Sequence, residues 1–476
     1  MTNPIITLEM LGHWLATPAE TEHLEFKEAK QQFDNSKLLD YCVALGNEGG
    51  GYLVLGVSNT CPRRVVGTQA FLVEKHLNEI KLQVTNRLGI RLEVVELGHA
   101  DGRVLVFSIP ARPIGQPLHI DGQYWMRAGE SLVGMTPDQL RRIMDEAKPD
   151  WSECSAAAEV SSDDVVALLD TQAFFDLLQL PYPTDRTGVI GRLQDMQLIS
   201  RGSSGWNISN MTALLLAKRL DMISDELARK APRVIIYDGA SKLVTRDETQ
   251  GLKGYAVGFE GLLDHVHASA PQNRFVEHGL REETKMFPKQ ALRELIANAL
   301  VHQDFDITGR GVKIEMYSDR IEISNAGIPP IDPDRFIDED RARNERMAGL
   351  MRKFRICEQK GSGMDKVTQL AEDYQLPAHE VITGGVATTV VLYAHRDFSD
   401  MAKSDRIRAC FQHCVLQYVN RKRMTNQSLR ERFGLSEAMT ATVSQVIGAA
   451  KEAGKIKLDD SETTSTRYAR YVPYWA

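Results

Sequence analysis

Apolar residues at Leu292, Leu295, Ile296 and Ala299 recur at helical spacing and predict a helix over 287–302, with Pro288 in its first turn. Glu294 and Asn298 stand four apart on it, so a carboxylate and an amide rise from one face, one turn apart. Two alternating runs follow, 311–317 and 319–327, and the second carries Asn325 two residues before a turn glycine, Gly327. Farther on, Gly361, Ser362 and Gly363 precede another helical run, where bare amides can meet an anion. Upstream, the pattern predicts helices at 8–17, 36–45 and 137–147 and strands at 52–57, 92–96, 103–109 and 124–128, an α+β mixture. Periodicity lapses over 150–156, which predicts a linker. Helices at 165–169, 171–178 and 187–196 and a hairpin within 198–208 come next, followed by a helical stretch 212–229 and a strand 232–237. From 404 the order helix, helix, helix, hairpin repeats: 405–419 puts Ile407, Cys410, Phe411, Cys414 and Val415 on one face, then come 425–434, 439–453 and strands 455–458 and 467–472.

Composition narrows the reading. A chain of 476 residues should divide into several cores, and 43% hydrophobic with 25% charged residues is ordinary for a soluble globular protein. No apolar run approaches a membrane span, and Met1-Thr2-Asn3-Pro4 does not open a signal peptide, so a cytoplasmic protein is expected. Six scattered cysteines without a Cys-x-x-Cys pair argue for reduced thiols and against structural zinc. The net charge of -7 makes no global case for nucleic acid. Residues 404–476 reverse the sign, with twelve Lys and Arg against seven Asp and Glu. There Arg421, Lys422 and Arg423 are candidate phosphate contacts, and Thr440, Thr442, Ser444 and Gln445 suit base edges or phosphates. The 187–196 helix has only Arg192 against Asp195, which favours a packing role.

The Glu294–Asn298 pair suits an ion site. An amide oxygen can ligate a hard cation that already holds a nucleotide's phosphates, and a carboxylate can orient or deprotonate a water. With Asn325-Ala326-Gly327 and the Gly361-Ser362-Gly363 run, the order resembles the GHKL (Bergerat) ATP-binding fold of gyrase, the heat-shock chaperones, histidine kinases and mismatch-repair ATPases. A closer resemblance is to a divergent branch of that superfamily found in bacterial transcriptional regulators, carried by Glu294 through Phe305, Asp319 through Gly327, and Arg343-Asn344 through Gly363. It implies that Asn298 ligates Mg, that Glu294 is the base, and that Asn325, Gly327, Gly361, Ser362 and Gly363 line ATP. The hydrolysing relatives carry Asp where Asn325 stands; a neutral amide still accepts from the adenine amino group, more weakly. ATP binding is expected, and hydrolysis stays open. The arginines of 341–346 form either a lid or a solvated helix.

Residues 1–150 resemble the Schlafen-type, Alba-like (AlbA_2) nucleic-acid-binding domain, through Glu20 to Lys27, Ala44 to Val57, Pro117-Leu118-His119 and Tyr124 to Gly129. In its nuclease members two Glu, matched by Glu20 and Glu25, join an Asp to hold a divalent metal, but the matching strand here ends Ser58-Asn59. The expected fold is therefore α+β multidomain: an Alba-like domain at 1–150, a helical winged-helix-like connector at 156–230, a GHKL-type domain at 231–396 and a winged helix at 404–476. The function expected is a regulator whose ATP state controls binding of DNA, or RNA, as a homo-oligomer off the membrane. The alternative is a metal-dependent nuclease gated by ATP, in phage defence, with Glu20 and Glu25 on the metal.

Overall fold

Alternation along the strands of the N-terminal region has two buried faces rather than one. The computed structural model describes residues 6–17, 19–277, 280–309, 311–339, 341–357, 363–459 and 469–476, and the chain divides into two units, Met1–Pro149 and Asp150–Ala476. The first contains α1 (Leu8–Leu15), β1 (Leu24–Lys27), α2 (Asn35–Asn47), β2 (Gly50–Leu55), α3 (Glu74–Leu88), β3 (Glu93–His99), β4 (Gly102–Pro110), β5 (Trp125–Ala128), β6 (Ser131–Gly134) and α4 (Pro137–Asp145). Its sheet runs β1-β2-β4-β3, with β1 parallel to β2 and the rest antiparallel. Leu53, Leu55, Leu105 and Phe107 meet α2 and α3 on one face. Phe26, Val54, Val104 and Val106 meet α1 on the other, as a period of two requires. Gly51 is forced, since a Cβ there would stand 2.4 Å from the His23 carbonyl oxygen.

The second unit opens where the sequence predicts a linker, and the structure corrects that. Trp151, in a short turn, stacks on Phe305 with centroids 5.2 Å apart and has the Lys230 ammonium 5.3 Å from its ring. The periodicity lapses because one aromatic, not a stripe, anchors the stretch. Next come β7 (Ser155–Val160), α5 (Ser162–Leu168), α6 (Thr171–Leu178), α7 (Arg186–Asp195), β8 (Ile199–Arg201) and β9 (Trp206–Ser209), with sheet order β7-β9-β8. The Glu159 carboxylate accepts from the amides of Ser203, Ser204 and Gly205, which fixes the hairpin turn. The helix expected over 212–229 is interrupted: α8 (Asn210–Leu216) and α9 (Asp225–Lys230) flank a 3-10 turn at Leu220–Met222.

A six-stranded mixed sheet follows, in the order β11-β10-β14-β15-β17-β16. In chain order its unit comprises β10 (Arg233–Tyr237), β11 (Thr245–Gln250), α10 (Tyr255–Ser269), a hairpin of β12 (Gln272–Glu277) and β13 (Leu280–Lys285), α11 (Lys289–Val301), β14 (Lys313–Met316), β15 (Arg320–Ala326), α12 (Glu345–Lys353), α13 (Gly363–Asp373), β16 (Glu380–Gly384) and β17 (Ala387–Tyr393). Ile314, Met316, Ile321 and Ile323 face α10, α11 and α13, while Glu315 and Glu322 between them pair with Lys and Arg on the other face. The result is a two-layer α/β arrangement. Finally α14 (Lys403–Val419), α15 (Asn426–Arg432), α16 (Thr440–Glu452), β18 (Ile456–Leu458) and β19 (Tyr471–Pro473) enclose a separate core that Ile337 and Ala378 also enter. Among the described residues, no helix is long and apolar enough to cross a membrane.

Candidate functional site

The apolar stripe of α11 buries Leu292, Leu295, Ile296 and Ala299, which turns Glu294 and Asn298 toward a cavity of about 360 Å³ between α11, α13 and the end of β15. Its volume lies within the range of small-molecule sites. Glu294 is only 5% exposed, and burial pushes its carboxyl above the usual carboxylate range. Neither side chain hydrogen-bonds to another described residue. The charges of Lys366 and Arg293 act on that carboxyl in the opposite sense, so an acid of raised proton affinity stands beside an amide on the wall of the cavity. Gly363 opens α13 directly against them: a Cβ at that position would lie 3.0 Å from Glu294 Oε2 and 3.6 Å from Asn298 Nδ2. Gly361 and Ser362 lie outside the described residues.

Asn325, the penultimate residue of β15, lines the same cavity. Its amide nitrogen donates to the carbonyls of His302 at 3.2 Å and Ala326 at 3.0 Å, so Oδ1 is the atom left to accept from a ligand. Thr388, beside it, donates its hydroxyl to the Gly327 carbonyl at 2.6 Å and keeps acceptor capacity; no motif marks it in the sequence. Gly327 adopts φ +107°, and a Cβ there would meet Asp304 Cβ at 2.9 Å and Arg343 Nη2 at 3.3 Å, so both conformation and space require glycine. Pro330, Phe336 and Ile323 supply an apolar wall. Burial and, after it, the Arg343 charge lower the pKa of His302. In the 341–346 stretch, Arg343 bridges Asp304 and the Ile328 carbonyl, Asn344 donates to the carbonyls of Val301 and Gln303, and Arg346 pairs with Glu153. Those groups pin the stretch; Arg341 lines the cavity.

Glu20 and Glu25 also come together, in the first unit. Glu25 is fully buried, with Arg127 Nη1 at 2.5 Å from one oxygen and Lys27 Nζ against the other. Glu20 accepts from the Phe26 amide at 2.9 Å, and Arg127 Nη2 lies 3.8 Å from its second oxygen. The guanidinium thus supplies the positive charge that a divalent ion would bring. Asn59 is exposed and bonds neither carboxylate. Among the described residues no three His, Cys, Asp or Glu side chains converge to hold a metal. Asn47, at the end of α2, donates to the carbonyls of Leu118 and Trp125 and accepts from the Leu118 amide, which ties α2 to the segment leading into β5.

In the C-terminal elements Arg421 and Lys422 are exposed, whereas Arg423 is paired with Asp459 at 2.9 Å and lies 5.3 Å from the Tyr418 ring. Thr440, Ser444 and Gln445 are exposed on α16 and Thr442 is half-buried. Two residues of α15 join them: Asn426 donates to Ser444 Oγ at 3.0 Å and Arg430 to Thr440 Oγ1 at 3.1 Å. Nothing local in the sequence singles out either.

Residues 309–392 match the family model HATPase_c_4, whose description is "Putative ATP-dependent DNA helicase recG C-terminal". Residues 20–136 match the model "Schlafen, AlbA_2". The chain pairs an ATPase-like domain with an AlbA_2-like domain. Asn325, Gly327 and Gly363 fall within the first match and Glu20, Glu25 and Arg127 within the second, while Glu294 and Asn298 precede the ATPase-like stretch. No curated protein matches this chain. Among solved structures it is similar to the DIP2311 protein of Corynebacterium diphtheriae, 17% identical over 98% of this chain and 96% of that one, with a TM-score of 0.42. It is also similar to the N-terminal domain of a RecG-related protein of Nitrosomonas europaea, 19% identical over 27% of this chain and 90% of that one, with a TM-score of 0.21.

Proposed function

We propose that this protein is an ATP-binding, nucleic-acid-binding regulator in which the nucleotide state of a GHKL-type domain controls binding of DNA, with ATP hydrolysis slow at most. The observation that carries it is the pair Glu294 and Asn298, whose side chains make no hydrogen bond to another described residue, on the wall of a cavity that Asn325 and Gly363 also line. In this reading adenine donates its amino group to Asn325 Oδ1, and the phosphates lie toward the start of α13, where helix amides and the helix dipole favour anions. Asn298 holds Mg together with those phosphates; one amide suffices because Mg keeps waters and takes its other ligands from the nucleotide. The metal neutralises phosphate charge when bound. Glu294, with its proton affinity raised by burial, is the group placed to orient or deprotonate a water.

Residues 404–476 act as a winged helix, with Arg421 and Lys422 on phosphates and Asn426, Arg430, Thr440, Ser444 and Gln445 at the groove. The AlbA_2-like match supports a second nucleic-acid surface at 20–136. The observations favour binding over cleavage there, because Glu25 is spent on Arg127 and Lys27. Calorimetric titration of Mg-ATP tests the reading. Wild type should bind with a Kd of about 1 μM, roughly -8 kcal/mol, and Asn298→Ala should lose the Mg-dependent part while keeping its fold. Equal affinity of the two proteins would remove the site.

A further inference from the structure

Two walls of the cavity are also the surfaces on which the C-terminal elements rest. One is α13. Gly363 at its start stands against Glu294 and Asn298, and nine residues on, about 13 Å along the axis, Glu372 meets both His413 and Arg432. Each Glu372 oxygen lies 3.0 Å from His413 Nδ1, and one lies 3.7 Å from Arg432 Nε. Arg432, 7% exposed, donates also to the Leu376 carbonyl at 2.7 Å, just past the end of α13. Arg432 is the last residue of α15, the short helix whose outer side presents Asn426 and Arg430 beside Thr440. The second wall is the 329–339 stretch. Pro330 and Phe336 face the cavity, while Asp334 takes Lys455 Nζ at 2.5 Å and the Arg335 guanidinium lies 4.1 Å from the Trp475 ring. Ile337 is buried inside the C-terminal core itself.

Charges buried in pairs do not separate freely, because parting them leaves an uncompensated charge out of water. Any shift of α13 is therefore carried through Glu372 and Arg432 into α15 rather than absorbed at the junction, and the partly exposed Asp334–Lys455 pair adds a weaker tie from the 329–339 stretch. We propose, resting on the nucleotide and DNA reading above, that occupancy of the cavity is transmitted to the α15–α16 surface through α13, with Glu372 and Arg432 as positioning residues and the Asp334–Lys455 pair as a second tie. The path runs from ligand through Gly363, Glu372 and Arg432 to Arg430 and Asn426, all within one unit of the chain.

The experiment measures a thermodynamic cycle on the full chain, with a non-hydrolysable ATP analogue plus Mg as one probe and a mixed-sequence DNA duplex as the other. In wild type each ligand should change the affinity of the other by the same factor, at least about fivefold. Glu372→Gln and, separately, the milder Asp334→Asn touch neither ligand. Each should bring that factor toward one while holding the affinity for either ligand alone within about twofold. Asp334→Asn keeps the test alive where Glu372→Gln fails to fold, since its ion pair is partly exposed. A coupling factor unchanged in both variants overturns the route and leaves the regulator reading standing. A factor of one in wild type, with both ligands bound, overturns transmission altogether. Failure to bind the analogue or the duplex removes the underlying reading, and the proposal with it.

Discussion

The resemblance read from the sequence would put Asp where this chain has Asn325, and the surroundings of that residue favour the amide. Its amide nitrogen satisfies two backbone carbonyls, His302 and Ala326, at a position only 9% exposed. A carboxylate there would face two acceptors with no proton to share, so Asn325→Asp should destabilise the domain by about 1–3 kcal/mol and gain no adenine affinity. Denaturant unfolding alongside ATP titration checks both halves; a stable variant with tighter binding would refute the account. Glu20 offers a second test, by pH. Burial, with Glu25 beside it, raises its carboxyl from 4.5 to about 7 against the opposing pull of the Phe26 amide. A folded-state pKa above the unfolded one stabilises fully below about 4.5 and loses that contribution as pH climbs through about 7. Protection of the β1 amides against hydrogen exchange, corrected for intrinsic rates, should therefore fall between pH 5 and 8. Glu20→Gln, which keeps the acceptor for Phe26 but cannot ionise, should flatten the profile.

Among the elements, legibility followed locality. The helix α11 and strand β15 were readable because their apolar period and their Glu, Asn and Gly lie within short stretches, and the structure brings Glu294, Asn298 and Asn325 to one cavity. β11 was not readable: all six of its residues are exposed, so no period marks it, and it forms on the backbone edge that β10 offers. α3, with only Ile80, Val84 and Leu88 buried, carries too thin a stripe to stand out. α14 was half readable. The face with Cys410, Phe411, Cys414 and Val415 is buried as its pattern says, but Gln412, His413 and Leu416 are buried too. Gln412 donates to the His379 carbonyl and His413 meets Glu372, partners remote in sequence that periodicity cannot anticipate. An excised 404–476 fragment would strip those partners and Arg432's as well. Its α14 amides should exchange faster than in the full chain, by at least about fivefold if one such buried contact, about 1–3 kcal/mol, is lost. Equal protection would mean the docked face contributes nothing.

At the scale of the whole molecule, the proposed DNA binding by a chain of net charge -7 calls for a local surface. Screening decides whether that is feasible: at physiological salt the Debye length is about 8 Å, so acidic regions farther away are largely silent. The 404–476 elements, with twelve basic against seven acidic residues, then act with their own sign. The three adjacent basic residues picked out there are not equivalent. Arg421 and Lys422 are exposed, but Arg423 is already paired with Asp459 and rests against Tyr418. A phosphate contact releases counterions only if the side chain is free to make it, so each true contact adds about 0.9 to the slope of log affinity against log salt. Arg421→Gln and Lys422→Gln should each lower that slope by about one and weaken binding to all duplex sequences alike. Arg423→Gln should leave it nearly unchanged and instead loosen the hairpin. Binding isotherms across a salt series, for the three variants in the full chain, separate these outcomes. If Arg423→Gln reduces the slope as much as the other two, its ion pair opens on binding and the surface is broader than the free side chains alone define.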